Sequence, residues 1–227
     1  MTNEKALFGF AGPFGVPVAV NQSLLLLAAV LFGFVGILDG NIGSVALLLI
    51  FLVISIYLHE LGHALGGMSQ GVKIKGIVLH GGGGYCAHGP AGPKESLVLI
   101  AAGPLVNLTL WLLAEPASDI VLAFGANDSA MALVAEQILF FGKINLLLFI
   151  FNMIPVLPLD GGRLFYLALW WRLPQETAMK VTGLVGLIIA VLWIPAVIVA
   201  FYFLGFILFF SPSIRDNWCR FNGEIVE

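Results

Sequence analysis

Residues Ser44–Gly67 read SVALLLIFLVISIYLHELGHALGG. The first part of this run is almost wholly apolar, and the whole is long enough for a transmembrane helix, which needs about 20 residues. Near its end the pattern is interrupted by His59, Glu60 and His63. Residues four apart on a helix lie on one face, so the two imidazoles are brought together with Glu60 directly after the first. Ionisable side chains at hydrocarbon depth are costly, and three of them in one span mark a functional site.

The rest of the chain fits that setting. Of its 227 residues, 60% are hydrophobic and 10% are charged, whereas a soluble domain carries about a quarter charged residues. The composition is that of a polytopic membrane protein, with the lipid bilayer as its surroundings. A formal net charge of −3 gives no ground for a nucleic-acid partner. Cys86 and Cys219 lie far apart without metal-finger spacing and are expected as free thiols. Met1–Lys5 is nearly neutral and no clear small-residue cleavage site follows, so the first apolar run is expected as a retained helix rather than a removed signal. The whole of 1–227 is expected as one domain, since no Ser/Gly- or Pro-rich linker divides it.

Working outward, Pro13 and Pro17 disfavour helix in FGFAGPFGVPVAVN, Phe8–Asn21, and VPVAV predicts a short strand. Ser23 is placed to cap a first helix over 23–39, and Asp39-Gly40-Asn41 predicts a turn into the second, 44–67. Alternation from Val72 to Leu79 predicts another strand, and Gly81–Gly84 permits a tight turn or a loop dipping towards the site. A third span is predicted over 95–114, followed by an acidic irregular loop from Glu115 to Asp128, and a fourth over 130–155. Pro155 and Pro158 then interrupt the ladder, and a short helix is expected from Leu164 to Trp171. The apolar stretch Met179–Phe210 is expected to divide at Trp193-Ile194-Pro195 into spans over 179–194 and 195–211. The expected fold is therefore all-α, with six transmembrane helices and a small membrane-associated β-sheet on the cytoplasmic side.

Charge placement orients this arrangement. Six spans put Lys5, Lys73, Lys75, Lys94, Arg163, Arg172, Lys180, Arg215 and Arg220 on one side, and Asp39, Glu115, Asp119 and Asp128 on the other. Positive residues mark the cytoplasmic face, which predicts a multi-pass protein of the cell membrane with both termini cytoplasmic. Lys143, inside the fourth span, is expected to snorkel or to pair with Glu136. His59 then lies on the order of 10–15 Å below the cytoplasmic surface.

Two imidazoles and an adjacent carboxylate in the pattern HExxH are what zinc peptidases use, with the glutamate as general base. A catalytic zinc site takes three protein ligands and leaves one position open. Asp160, His80 and His88 are the candidates for the third. Irregular backbone at membrane depth must be buried in protein or line a wet cavity, and this favours Asp160 in its Pro-Gly segment. Intramembrane His, Asp and Glu also line ion paths, so a membrane metal-ion or proton transporter is the alternative reading. The ionisable groups converge on one HELGH and one LDG rather than spreading over repeats, which favours the enzyme.

These residues resemble the motifs of the site-2 protease family of intramembrane zinc metalloproteases. HELGH resembles its first motif and Asn152…Pro155…Leu159-Asp160-Gly161 its second, while Gly103-Pro104…Asn107 and the early GVPV strand resemble further family elements. The similarity runs from about Gly12 to Arg163 in the family's order. The resemblance implies one catalytic Zn2+ held by His59, His63 and Asp160, and Glu60 activating water. It implies a single-pass transmembrane protein as substrate, cut within or near its transmembrane segment. By the same analogy Asn152 positions substrate or stabilises the developing oxyanion; the other reading is a buried amide capping the broken helix. Asn107 is expected to be structural. The glycine run is longer than the family's usual pair and is flanked by His80, Cys86 and His88. No segment matches the PDZ or CBS domains of some relatives, so a minimal catalytic core is expected.

Overall fold

The apolar runs become helices and the two β-branched stretches become strands, as backbone hydrogen-bonding in lipid demands. The computed structural model describes residues 6–39, 42–125, 128–204 and 211–224. In chain order the elements are β1 (Ala6–Ala11), β2 (Pro17–Asn21), α1 (Ser23–Asp39), α2 (Ile42–Ser69), β3 (Ile74–His80), β4 (Gly83–His88), α3 (Pro93–Phe124), α4 (Ser129–Asn152), α5 (Asp160–Trp170), α6 (Gln175–Leu204) and α7 (Ile214–Phe221). Four of them, α2, α3, α4 and α6, are long and apolar enough to cross a membrane, and α1 is a shorter apolar helix. The chain divides into two compact units, 1–149 and 150–227.

In the first unit the strands form one sheet in the order β1-β2-β3-β4, with β2 and β3 parallel and the outer pairs antiparallel. Val16, Val18, Val20, Ile77 and Leu79 bury their side chains against Ala64 of α2, with Tyr57 and Leu61 beside them. The sheet thus seats on the half of α2 that carries the histidines. The predicted strand at VPVAV is β2 and the one at Val72–Leu79 is β3. Gly81 and Gly82 make the β3–β4 turn, and the Gly81 N–H donates to Ser23 Oγ (3.1 Å), tying the hairpin to the start of α1.

Helices α2 and α3 approach closely because the contact is built from small residues. A Cβ on Gly62 would meet the Ala102 carbonyl oxygen at 2.8 Å, and one on Gly66 would meet Ala102 Cβ at 2.6 Å.

The structure corrects three boundaries. The acidic segment from Glu115 is helical through Phe124, with Pro104 and Pro116 inside α3. At 32 residues and about 1.5 Å each, this helix is longer than the roughly 30 Å hydrocarbon core, so its charged turns extend beyond the apolar slab instead of unravelling. The spans expected over 179–194 and 195–211 are not two helices: α6 runs unbroken from Gln175 to Leu204 with Pro195 inside it. Proline removes one ladder hydrogen bond, which a membrane helix tolerates without turning back. Among the described residues, four helices of spanning length and one shorter apolar helix stand where six spans were expected. Residues 205–210 of the expected last span, and Gly40 and Asn41 of the expected turn, lie outside the described residues. The fourth span ends at Asn152 rather than 155.

In the second unit the chain nevertheless returns to the beginning of α6. Backbone and side chain of α7 lie against Gly183 and Gly186, where a Cβ would strike Phe221 and Asn217 respectively. Arg220 covers the Tyr166 ring of α5 with its guanidinium 4.6 Å from the centroid. Val156, Leu159 and Ala190 form the apolar core of this unit.

Candidate metal centre

Helix α2 places Ser55, His59 and His63 four residues apart on one face, and all three are buried. The two imidazoles meet edge to face, with His59 Nε2 and His63 Nε2 3.0 Å apart. Each ring is anchored through its other nitrogen. His63 Nδ1 donates to the Leu99 backbone carbonyl of α3 (2.9 Å), an atom that can only accept. His59 Nδ1 lies 2.6 Å from Asn107 Oδ1, also on α3. The orientation of that amide follows from its other contacts. Asn107 Nδ2 faces two acceptors, Asn145 Oδ1 (2.7 Å) and the Ser55 carbonyl (3.4 Å), so the oxygen is the atom turned to His59. Both histidines therefore carry their protons on Nδ1 and turn the lone pairs of Nε2 towards one point.

Glu60 is buried beside them at 5% exposure. The donor atoms of His59, Glu60 and His63 all lie within 4.8 Å of one another, a group able to hold a metal ion. The cover over Glu60 is the hairpin: a Cβ on Gly84 would meet Glu60 Cγ at 2.7 Å. Only glycine admits that approach, which gives the glycine run a reason the sequence left open. Cys86, two residues further along the same strand, is a free thiol pushed up to about 12 by burial and then by the Glu60 carboxylate.

His80 and His88 serve their own loops. His80 Nδ1 accepts from the Gly82 N–H (3.2 Å), and His88 Nδ1 donates to the Gly89 carbonyl (2.7 Å). They do not join the group around His59.

In the second unit, Asn152 ends α4 and Asp160 opens α5, where it is buried. The intervening segment doubles back, so that a Cβ on Gly161 would strike the Met153 backbone and one on Gly162 would meet Val156 C at 2.6 Å. Leu157 N–H donates to Asn217 Oδ1 (3.2 Å), while Asn217 Nδ2 donates to the Leu157 carbonyl (3.1 Å). Asn217, wholly buried on α7, was not singled out in the sequence, nor were Ser55 and Asn145. Ser55 did carry a signal, being in phase with His59 and His63.

Residues 113–193 match the profile of Peptidase family M50, a segment that includes Asn152–Gly161. The chain is 32% identical over 173 residues to zinc metalloprotease MJ0392 of Methanocaldococcus jannaschii, covering 76% of this chain and 48% of that protein. It is 31% identical over 172 residues to stage IV sporulation protein FB of Bacillus subtilis, covering 72% and 51%. The chain thus spans about half the length of these relatives. In fold it is similar to the site-2 protease from Methanocaldococcus jannaschii, with a TM-score of 0.61 at 23% identity over 97% of this chain and 96% of that one.

The chain carries a Peptidase family M50 domain match over 113–193. Its HELGH fits the zinc that the family name of these relatives implies, on a feature of this structure alone. The two Nε2 atoms at 3.0 Å need a proton or a metal ion between them, and Zn–N bonds of about 2.0–2.1 Å allow one ion to take both. In this chain the acceptors behind the rings, Asn107 and Leu99, fix the tautomers that such an ion requires.

Proposed function

We propose that this chain is an intramembrane zinc metalloprotease that hydrolyses a peptide bond within or near the transmembrane segment of a single-pass membrane protein. The observation that carries the reading is the convergence of His59, His63 and Glu60, tautomers fixed, on a helix of membrane-crossing length. His59, His63 and Asp160 would hold the ion. When bound, zinc lowers the pKa of its water towards about 7 and polarises the scissile carbonyl.

Glu60 takes the proton of the attacking water and later delivers it to the leaving amine. Its burial beneath Gly84 keeps the carboxylate beside His59 and His63 and away from bulk solvent. Asn152 positions the substrate carbonyl or stabilises its developing charge. A transmembrane substrate hides its peptide bonds in helix hydrogen bonds, so the cut segment must be held unwound. Docking on Val72–Leu79 would need a strand edge there, but β3 is flanked on both sides by β2 and β4. The outer edge of β4 (Gly83–His88), which carries Gly84 above Glu60, is the better site for strand addition.

Lys73, Lys75 and Lys94 fall between α2 and α3 or at the start of α3, and Arg163, Arg172, Lys180, Arg215 and Arg220 lie along the second unit. That bias supports cytoplasmic termini, in the cell membrane, with water reaching the site from the cytoplasm.

The test is cleavage of a single-pass substrate by the reconstituted protein. Glu60→Gln should keep its zinc and lose about 10²–10⁴-fold in rate. Equal cleavage by the variant would end this reading.

A further inference from the structure

A buried amide relay reaches His59 from the far side of the bundle. Asn145 on α4 and Asn107 on α3 are both wholly inaccessible, as is Ser55 on α2. Asn145 Nδ2 donates to the Phe141 backbone carbonyl (2.9 Å) and to Ser55 Oγ (3.0 Å). A main-chain carbonyl accepts only, so this contact fixes which end of the Asn145 amide is nitrogen. Asn145 Oδ1 is thereby turned to Asn107 Nδ2 (2.7 Å), and Asn107 Oδ1 is turned to His59 Nδ1.

Asn107 alone would not set this polarity. Its amide would flip at little steric cost and would then present N–H groups to the imidazole. His59 would respond by moving its proton to Nε2, the atom needed for the metal. What opposes the flip is chiefly Asn145, since the Ser55 carbonyl is more distant at 3.4 Å.

We infer that Asn145 is a positioning residue that selects the Nδ1–H tautomer of His59 by fixing the amide polarity of Asn107, and so sets zinc affinity from two side chains away. The inference rests on the reading of HELGH as a zinc site, but not on proteolysis. An outer partner of this kind is worth about 10–100-fold in metal affinity. The polar residues pay for burial in an otherwise apolar bundle with a network in which each of these side-chain groups is matched to a group of the opposite kind.

The experiment uses the full chain in detergent, with zinc alone as the probe and affinity read by chelator competition. Asn145→Leu should weaken zinc binding about 10–100-fold without moving the melting temperature of the metal-free protein by an equivalent margin. Adding Asn107→Asp to that variant supplies an acceptor-only group that cannot flip, and should restore most of the lost affinity. Zinc affinity within twofold of wild type in Asn145→Leu overturns the inference. So does a loss that Asn107→Asp fails to restore, because the loss is then one of packing. A third reading needs no variant: ring ¹⁵N shifts of the metal-free wild type should show His59 protonated at Nδ1, and Nε2 protonation would overturn the inference even if Asn145→Leu does not fold. Because none of these measurements involves peptide cleavage, a failure here is distinct from a failure of the Glu60→Gln test.

Discussion

The HELGH stretch of α2 and the break between Asn152 and Asp160 are the two regions that carry the proposed zinc ligands, and they are built by opposite means. In α2 the backbone is regular, and the period of the helix brings His59 and His63 together. What remains is to orient rings, which α3 does with one carbonyl and one amide. In the break the backbone itself is irregular. There a tight reversal, bare of side chains at Gly161 and Gly162 and clasped by Asn217, decides where Asp160 starts its helix. The lesson is that the helical pair is fixed locally, whereas the position of Asp160, the proposed third ligand, within its own unit depends on how a distant segment clasps a loop.

The most severe way to break the comparison is to remove one ligand from each region. His63→Ala and Asp160→Asn are each expected to lower zinc content to near background in the purified protein, since losing one of three protein ligands opens a second coordination position. Full zinc occupancy in Asp160→Asn would remove the second region from the site and leave the HELGH helix to be completed by another donor.

A methyl group sharpens the contrast. A Cβ on Gly103 would meet the His63 ring, a side chain, whereas one on Gly161 would meet the Met153 backbone and the Ile154 carbonyl. Gly103→Ala should therefore leave a folded protein whose zinc affinity falls by at least about tenfold as the ring is displaced. Gly161→Ala should instead destabilise the fold, by about 1–3 kcal/mol for overpacking. Thermal unfolding and chelator competition on both variants separate the two outcomes, and a reversal of the pattern would contradict the account.

Much of this was legible in advance because it is local. The HELGH face follows from the helical period, β2 and β3 from their β-branched alternation, and the irregularity before Asp160 from Pro155 and Pro158. What was not legible depends on context. The acidic segment from Glu115 to Asp128 reads as an irregular loop, yet α3 runs on to Phe124 because a helix that leaves the slab can continue in water. Pro195 looked like a turn and is an interior residue of α6. Asn107 looked structural, and only the fold shows it against His59. Asn145 and Asn217 gave no local sign of their partners, because those partners lie 38 and 60 residues away.

Asn217 offers a milder test of the second region. Its amide bonds both the N–H and the carbonyl of Leu157; the carbonyl also accepts from the Ser213 N–H (3.1 Å), so Asn217→Ala would leave the buried Leu157 N–H unmatched. For one orphaned group a loss of about 1–3 kcal/mol is expected. Faster proteolytic nicking within 153–159 should accompany it. A variant as stable as wild type and equally resistant would mean that the loop holds its shape without α7.

The smallest effect expected lies in the first region and is chemical rather than structural. Cys86 sits on the strand that covers Glu60, and its thiol is pushed up to about 12, first by burial and then by that carboxylate. At pH 8 only about one thiol in 10⁴ would then be ionised, against about one in 10 at a pKa near 9, and alkylation proceeds through the thiolate. The metal-free protein should accordingly react slowly at Cys86. Glu60→Gln removes the second cause and keeps the first, so the rate should rise several-fold and stay well below that of an exposed cysteine. The sign for stability follows from the same shift: the folded thiol holds its proton above the ordinary range, so this contribution is present below pH 9 and is lost as pH climbs from there towards 12. Alkylation of Cys86 at pH 8 as fast as that of an exposed thiol would show that the hairpin does not close over Glu60, and the first region would then owe its geometry to α2 and α3 alone.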